Sequence, residues 1–152
     1  IMPLMLLSIE KVLVLKSVPL LSSVPENQLV DLATIAESLE YEAGEVIINQ
    51  GDLGTSMYVV VDGRVGIFDG DLVLGEHGER TVFGELAALD PEPRAASVQA
   101  LKDCSLLRID GESLYDLMSG NKELTKGIVH VLCDYARQNL TRTTQKAFLP
   151  RL

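Results

Sequence analysis

The residues best suited to chemistry lie in one stretch, Phe83-Gly84-Glu85-Leu86-Ala87-Ala88-Leu89-Asp90-Pro91-Glu92-Pro93-Arg94-Ala95-Ala96-Ser97-Val98. Gly84 permits close backbone approach and dihedrals that other residues avoid. Glu85-Leu86-Ala87-Ala88-Leu89 favours about one turn of helix, and the N–H groups at a helix start lack intrahelical acceptors and suit an anion. Arg94 is fixed in approach by Pro93 and followed by Ala95 and Ala96. Those small neighbours leave room for a bulky oxyanion beside a guanidinium fork. Main-chain amides and one arginine therefore converge across a single loop, and Glu85 adds a carboxylate acceptor suited to a sugar hydroxyl. An anion plus a diol describes a sugar phosphate or a nucleotide. The competing reading pairs Arg94 with Glu85, Asp90 or Glu92 and leaves the loop a plain turn.

Other chemistries find less support in the residue types. A metal-binding β-barrel needs clustered histidines, whereas His77 and His130 stand alone and far apart. Nucleophilic catalysis needs a base beside its nucleophile, and no Ser-His or Cys-His pair suggests itself. Cys104 falls in a strand-like run and Cys133 in an apolar helix, so both read as core residues. Two cysteines give no disulfide framework and suit a reducing compartment. No catalytic residue, metal ligand or cofactor is expected, and the chain does not read as an enzyme.

Three regions with different periods must position the loop. Residues 1–37 read as helical, with Leu6, Leu7, Val12, Leu13 and Leu15 as a loose apolar face. Ser23-Val24-Pro25-Glu26 matches a capping box that opens a second helix carrying Leu29, Leu32, Ala33, Ile35 and Ala36. Residues 38–110 read as short strands punctuated by glycines, including Met57–Val61, Arg64–Phe68 and Cys104–Ile109. That spacing suggests a small sandwich or barrel. Asp69-Gly70 is a hairpin signal. Residues 111–148 return to helix: a short one over Gly111–Gly120, then a longer one that Asn121 can cap. Its run Ile128–Ala136 is apolar almost all round, which requires burial on more than one side. The expected fold is mainly β with flanking helices, in one domain.

These residues resemble the phosphate-binding cassette of cyclic nucleotide-binding domains. The family pattern, Phe-Gly-Glu-Leu-Ala followed after a short spacer by Pro-Arg-Ala-Ala/Ser-Ser/Thr-Val, stands complete at Phe83–Ala87 and Pro93–Val98. The likeness extends to Tyr41–Ile47, Gly51-Asp52 and Met57–Val65. It implies an antiparallel β-roll (jelly-roll) with the cassette at 83–98, N-terminal helices, a short cassette helix and a long C-terminal helix. It implies cyclic nucleotide as the ligand: Arg94 on the cyclic phosphate, Glu85 accepting from the ribose 2′-hydroxyl, and main-chain N–H groups of Leu86, Ala87 and Ala95 as cradle, with Gly84 giving access and Ala96 beside them. Family members that favour cGMP often carry Thr or Ser just after the arginine. Ala95 stands there, with Ser97 two residues on, so cAMP is expected over cGMP. Tyr135, Asn139 and Leu140 on the C-terminal helix are the candidates for capping the base. The pattern departs at Arg80-Thr81, where Gly-Asp is usual, and at Pro91, where a glycine is common.

The rest of the chain limits the partners. Its 152 residues carry a formal charge of -9, with 7 basic and 20 acidic side chains in residues 1–120 against 6 and 2 in residues 121–152. An acidic chain with no helix-turn-helix pattern after Leu140 is not expected to bind nucleic acid by itself. The apolar opening Ile1–Leu7 falls far short of the ~20 residues a membrane span needs. It also lacks the basic start and cleavage site of a signal peptide. A cytoplasmic setting is expected, including the cytoplasmic domain of a membrane protein. The chain opens on Ile, so a longer parent with an effector domain is expected: a regulator, kinase subunit, channel or transporter. The C-terminal helix suggests a homodimer through the Leu124, Ile128, Val131, Tyr135 series, a short pairing because Gln138 and Arg142 interrupt it. A module of the same fold without ligand is the alternative.

Overall fold

The computed structural model describes residues 7–148, with side chains through 141. The apolar opening, Leu7 excepted, lies outside the described residues. Two helices come first, α1 (Ser8–Ser17) and α2 (Glu26–Ile35), joined by a 3-10 turn at Pro19–Leu21. The strands follow: β1 (Glu37–Tyr41), β2 (Val46–Ile48), β3 (Leu53–Gly54), β4 (Ser56–Asp62), β5 (Val65–Asp69), β6 (Leu72–His77) and β7 (Val82–Phe83). A short helix α3 (Glu85–Leu89) interrupts them before β8 (Glu92–Pro93), β9 (Ser97–Ala100) and β10 (Cys104–Asp110). Helices α4 (Gly111–Gly120) and α5 (Lys122–Phe148) close the order. One sheet runs β1-β10-β4-β7, a second runs β2-β9-β5-β6, and β3 pairs with β8 alone. Every pairing is antiparallel. This is a β-roll with flanking helices, and the cassette is inserted between β7 and β9.

Strand β4 explains how one sheet serves two cores. Its run Ser56–Val60 is buried at every residue, so both faces are covered and the sequence shows no alternation. Met57 and Val59 join Leu107 and Ile109 in a cluster with Leu15, Leu21, Leu29, Leu32 and Leu114 of the helical layer. Tyr58 and Val60 face the roll interior with Val65, Val98 and Leu106. Each such side chain contributes about 1.5–3 kcal/mol on burial. Tyr58 also stacks on Phe83, centroids 5.0 Å apart and rings 10° from parallel, which ties β4 to the residue that opens the cassette. The β5–β6 hairpin turns at Gly70, with Asp69 opposite Leu72, as Asp69-Gly70 suggests.

Several local expectations give way to tertiary contacts. Helix α1 buries Val12 and Leu15 but leaves Leu7 and Leu13 exposed, because Lys11 donates to the Ala36 carbonyl at 2.7 Å and turns the helix onto α2. The capping box at Ser23 does not form: the N-cap of α2 is Pro25, with no side-chain cap. Pro25 has extended ψ of 147°, and a residue before proline is itself pushed out of the helical region. Asn121 does not cap α5 with its side chain, which donates to Leu117 O at 2.7 Å and closes α4 instead. The first turn of α5 is satisfied from α2: the Leu124 N–H donates to Gln28 Oε1 at 2.8 Å. Leu124 and Ile128 are buried in the helical cluster, so the series expected to pair two copies docks α5 on its own domain. The outer stripe of α5, Val129, Ala136 and Leu140, is exposed. No helix among the described residues is long and apolar enough to cross a membrane.

Arg80 takes the left-handed conformation at φ 65°, alone among the described non-glycine residues. The departure from the family's glycine-containing pattern thus falls on a bend that needs it. A non-glycine residue held there costs of order 1–3 kcal/mol. Arg80→Gly is expected to raise stability by up to about 1 kcal/mol, part of the relief being lost to the unfolded chain's added freedom. Arg80→Val is expected to lower it by about 1–2 kcal/mol. Urea denaturation midpoints of the two variants check both signs.

Candidate functional site

Arg94 is built into place by the backbone. Its N–H donates to Asp52 O at 2.7 Å and its carbonyl accepts from Gly51 N–H at 2.9 Å. The β3–β8 ladder, Leu53 opposite Pro93 and Gly54 opposite Glu92, runs up to it. Pro93 cannot donate within that ladder and sits at its short edge, where proline is tolerated. The guanidinium then crosses Gly54, where a Cβ would lie 2.6 Å from Cζ and 2.7 Å from Cδ. It donates through Nη2 to Ser56 O at 2.7 Å and through Nη1 to Gly84 O at 3.4 Å. Gly84 is left-handed at φ +78°, and a Cβ there would meet Nη1 at 2.7 Å. Two glycines are therefore required for one arginine.

No carboxylate neutralises this cation: Arg94 takes part in none of the ion pairs among the described residues. The pairing with Glu85, Asp90 or Glu92 does not form, because carbonyls of β4 and Gly84 occupy the fork first. Burial chiefly lowers the Arg94 pKa from the ordinary value; Tyr58 opposes that and Arg108 adds to it. A half-buried guanidinium held only by carbonyl dipoles is ready for an anion.

Arg94 lines a cleft of about 760 Å³ with Gly84, Glu85, Leu86, Ala87, Ala95 and Ala96. Every cassette residue singled out from the sequence is thus brought together. The volume is that of an ordinary small-molecule site. Apolar walls come from Ile48, Ile67, Phe83 and Val98 of the roll. Tyr115 of α4 and Leu132 of α5 close the helical side, and the Tyr115 hydroxyl donates to Leu89 O at the end of the cassette helix. Ser97 stays out of the cleft lining, and its hydroxyl accepts from the Gln50 N–H at 2.9 Å. Among the described residues no group of His, Cys, Asp and Glu could hold a metal ion.

The three residues proposed as base caps fare differently. Tyr135 does not line the cleft; its hydroxyl donates to Glu85 Oε1 at 2.5 Å. Burial first, then the hydrogen bond and charge of Glu85, push the Tyr135 phenol well above its ordinary range. Asn139 and Leu140 lie farther along α5, outside the described cleft walls. Sequence reasoning missed Gly54, Ser56, Gln50 and Tyr115. Gly54 could have been found as a second glycine close after Gly51; the others gave no signal, since they act through a main chain or across the fold.

The family described as cyclic nucleotide-binding domain matches residues 38–121. A cAMP-dependent protein kinase regulatory subunit from Hypocrea atroviridis is 33% identical over 109 residues, covering 72% of this chain and 23% of that protein. The type II regulatory subunit of that kinase from Drosophila melanogaster is 38% identical over 90 residues, covering 57% of this chain and 24% of that protein. The chain thus spans about a quarter of these relatives' length. Among solved structures, the N-terminal domain of a transcriptional regulator from Streptomyces coelicolor superposes with TM-score 0.75 at 25% identity, covering 83% of this chain and 94% of that one. The regulatory domain of Toxoplasma gondii PKA with cAMP gives TM-score 0.73 at 25% identity, covering 86% and 50%. With roll and family match in agreement, this chain belongs to the cyclic nucleotide-binding domain family.

The Tyr135–Glu85 contact has a pH signature. A phenol whose pKa is raised on folding adds stability that is complete below pH ~10 and is lost as pH rises through the folded value. Tyr135→Phe is expected to cost about 1 kcal/mol at neutral pH, the order of one partly exposed hydrogen bond to a charged group. That cost is expected to shrink above pH ~10. Denaturant melts of both proteins at pH 7 and above 10 check the size and the sign.

Proposed function

We propose that this chain is a cAMP sensor: cAMP occupies the cleft, and its binding is relayed through α5 to a neighbouring domain or partner. The carrying observation is Arg94, a half-buried guanidinium without a carboxylate, facing a cleft of nucleotide size. Arg94 takes the cyclic phosphate together with the N–H groups of Leu86, Ala87 and Ala95, and Glu85 accepts from the ribose 2′-hydroxyl. Selectivity for cAMP over cGMP is supported by Ala95, which has no hydroxyl for a guanine amino group, and by Ser97, whose hydroxyl is engaged by Gln50. Relatives named for cAMP support the same ligand. The chain is read as a regulatory element without catalysis of its own.

Calorimetric titration of nucleotide-free protein with cAMP and cGMP tests this. Micromolar or tighter cAMP binding is expected, lost in Arg94→Ala with little change in melting temperature. Ala95→Thr is expected to raise cGMP affinity relative to cAMP. No heat from either nucleotide would leave the ligand-free interaction module as the reading.

The exposed stripe Val129, Ala136 and Leu140 of α5 supports pairing with a second copy, on a face different from the one expected. Sedimentation is expected to show a dimer that Val129→Glu converts to monomer. A monomeric parent protein would remove the proposal.

A further inference from the structure

Glu85 is shared between two surroundings. It lines the cleft beside Arg94, and it also lines an apolar void of about 20 Å³ behind the cassette with Leu20, Leu89, Ile128 and Val131. The other described walls of that void are apolar, so it offers the carboxylate no further polar partner. Tyr135 supplies the one hydrogen bond to the Glu85 side chain among the described residues, at Oε1. A carboxylate has two oxygens and can accept on both at once. The hydroxyl that holds Oε1 therefore leaves Oε2 as an acceptor and need not compete with a ligand for it.

We infer that Tyr135 is a positioning residue for recognition of the ribose: from α5 its hydroxyl fixes the Glu85 carboxylate through Oε1, so that Oε2 meets a 2′-hydroxyl already ordered. This rests on the proposed cyclic nucleotide function and adds a specificity determinant that lies outside the cassette. The physical basis is preorganisation. A half-exposed glutamate with no partner samples several rotamers, and a ligand that needs one of them loses affinity by the cost of ordering it, about three- to tenfold. With Tyr135 in place that ordering is complete before the ligand arrives. A phenol is protonated at neutral pH, and burial and Glu85 shift Tyr135 further toward that form, so it is a donor to Glu85. The role differs from base stacking: the Tyr135 ring is absent from the described cleft walls, where Tyr115 and Leu132 stand instead.

The test crosses protein and ligand. The full 152-residue chain and its Tyr135→Phe variant, each shown to melt cooperatively, are titrated with cAMP and with 2′-deoxy-cAMP. Tyr135→Phe is expected to weaken cAMP about three- to tenfold and to leave 2′-deoxy-cAMP within about twofold. In a Glu85→Ala background the same substitution is expected to change neither affinity. Equal losses on both ligands would assign Tyr135 to packing, tighter cAMP binding would make its hydroxyl a competitor, and unchanged affinities would give it no role; each overturns the inference alone. A wild-type chain that binds neither nucleotide, or binds them without need of Arg94, overturns the functional reading and this inference with it.

Discussion

The site depends on holding a half-buried positive charge in place with no ion-pair partner among the described residues. Arg94 reaches its position over the bare backbone of Gly54 and against the bare backbone of Gly84, and among the described residues two carbonyl oxygens accept from its fork. Carbonyl dipoles orient a guanidinium without cancelling its charge, whereas a carboxylate would do both. The arrangement is stable only if those carbonyls cannot move. Ser56 is fixed because β4 lies between β10 and β7 in its sheet and is buried on both faces. Gly84 is fixed because Phe83 pairs with Tyr58 across the ladder and stacks on it. The Arg94 main chain is fixed by Gly51 and Asp52. The roll is the means of holding three backbone segments around one side chain.

The acidic body is no obstacle to an anionic ligand. Twenty carboxylates in residues 1–120 would repel a phosphate at long range. Exposed charges more than a Debye length away, about 8 Å at physiological salt, are largely screened. Contacts inside the cleft are not. On the proposed reading, one guanidinium and the N–H groups of the cassette act at hydrogen-bond range in a partly desolvated site, where each charge-assisted bond is worth more than a surface ion pair. The field of the whole chain sets how fast an anion arrives, and the few groups around Arg94 set whether it stays.

What could be read from the sequence follows this division between local and distant causes. The cassette is legible because its chemistry is local: a glycine, a glutamate, a one-turn helix and an arginine between small residues, all within one loop. The strand order of a β-roll was implied by resemblance rather than by pattern, and β1, with two glutamates in Glu37–Tyr41, carries little strand signal of its own. The caps of α2 and α5 differ from the local sequence signal for a common reason. Local sequence offers Ser23 and Asn121, while the fold supplies Pro25's geometry and a glutamine from another helix, Gln28. The series Leu124, Ile128, Val131, Tyr135 suggests a helix pair because periodicity marks an apolar face without saying what covers it. The domain's own helical layer covers it.

Helix α5 therefore has three distinct relations to the rest of the chain. Its inner series is anchored in the helical core by Leu124 and Ile128. Leu132 forms part of the cleft wall. One turn further on, Tyr135 reaches Glu85. The anchored turns cannot respond to a ligand without breaking the core, so on the proposed reading the response belongs to the turns from Leu132 onward, where Leu132 lines the cleft and Tyr135 meets Glu85. Coupling between sites is reciprocal. A ligand that binds more tightly when Tyr135 orders Glu85 must, by the same free energy, hold Tyr135 and its stretch of α5 more firmly against the cassette. On the proposed reading the helix needs no large apolar hinge to sense the cleft, because the acceptor that recognises the sugar is the same one that holds the helix.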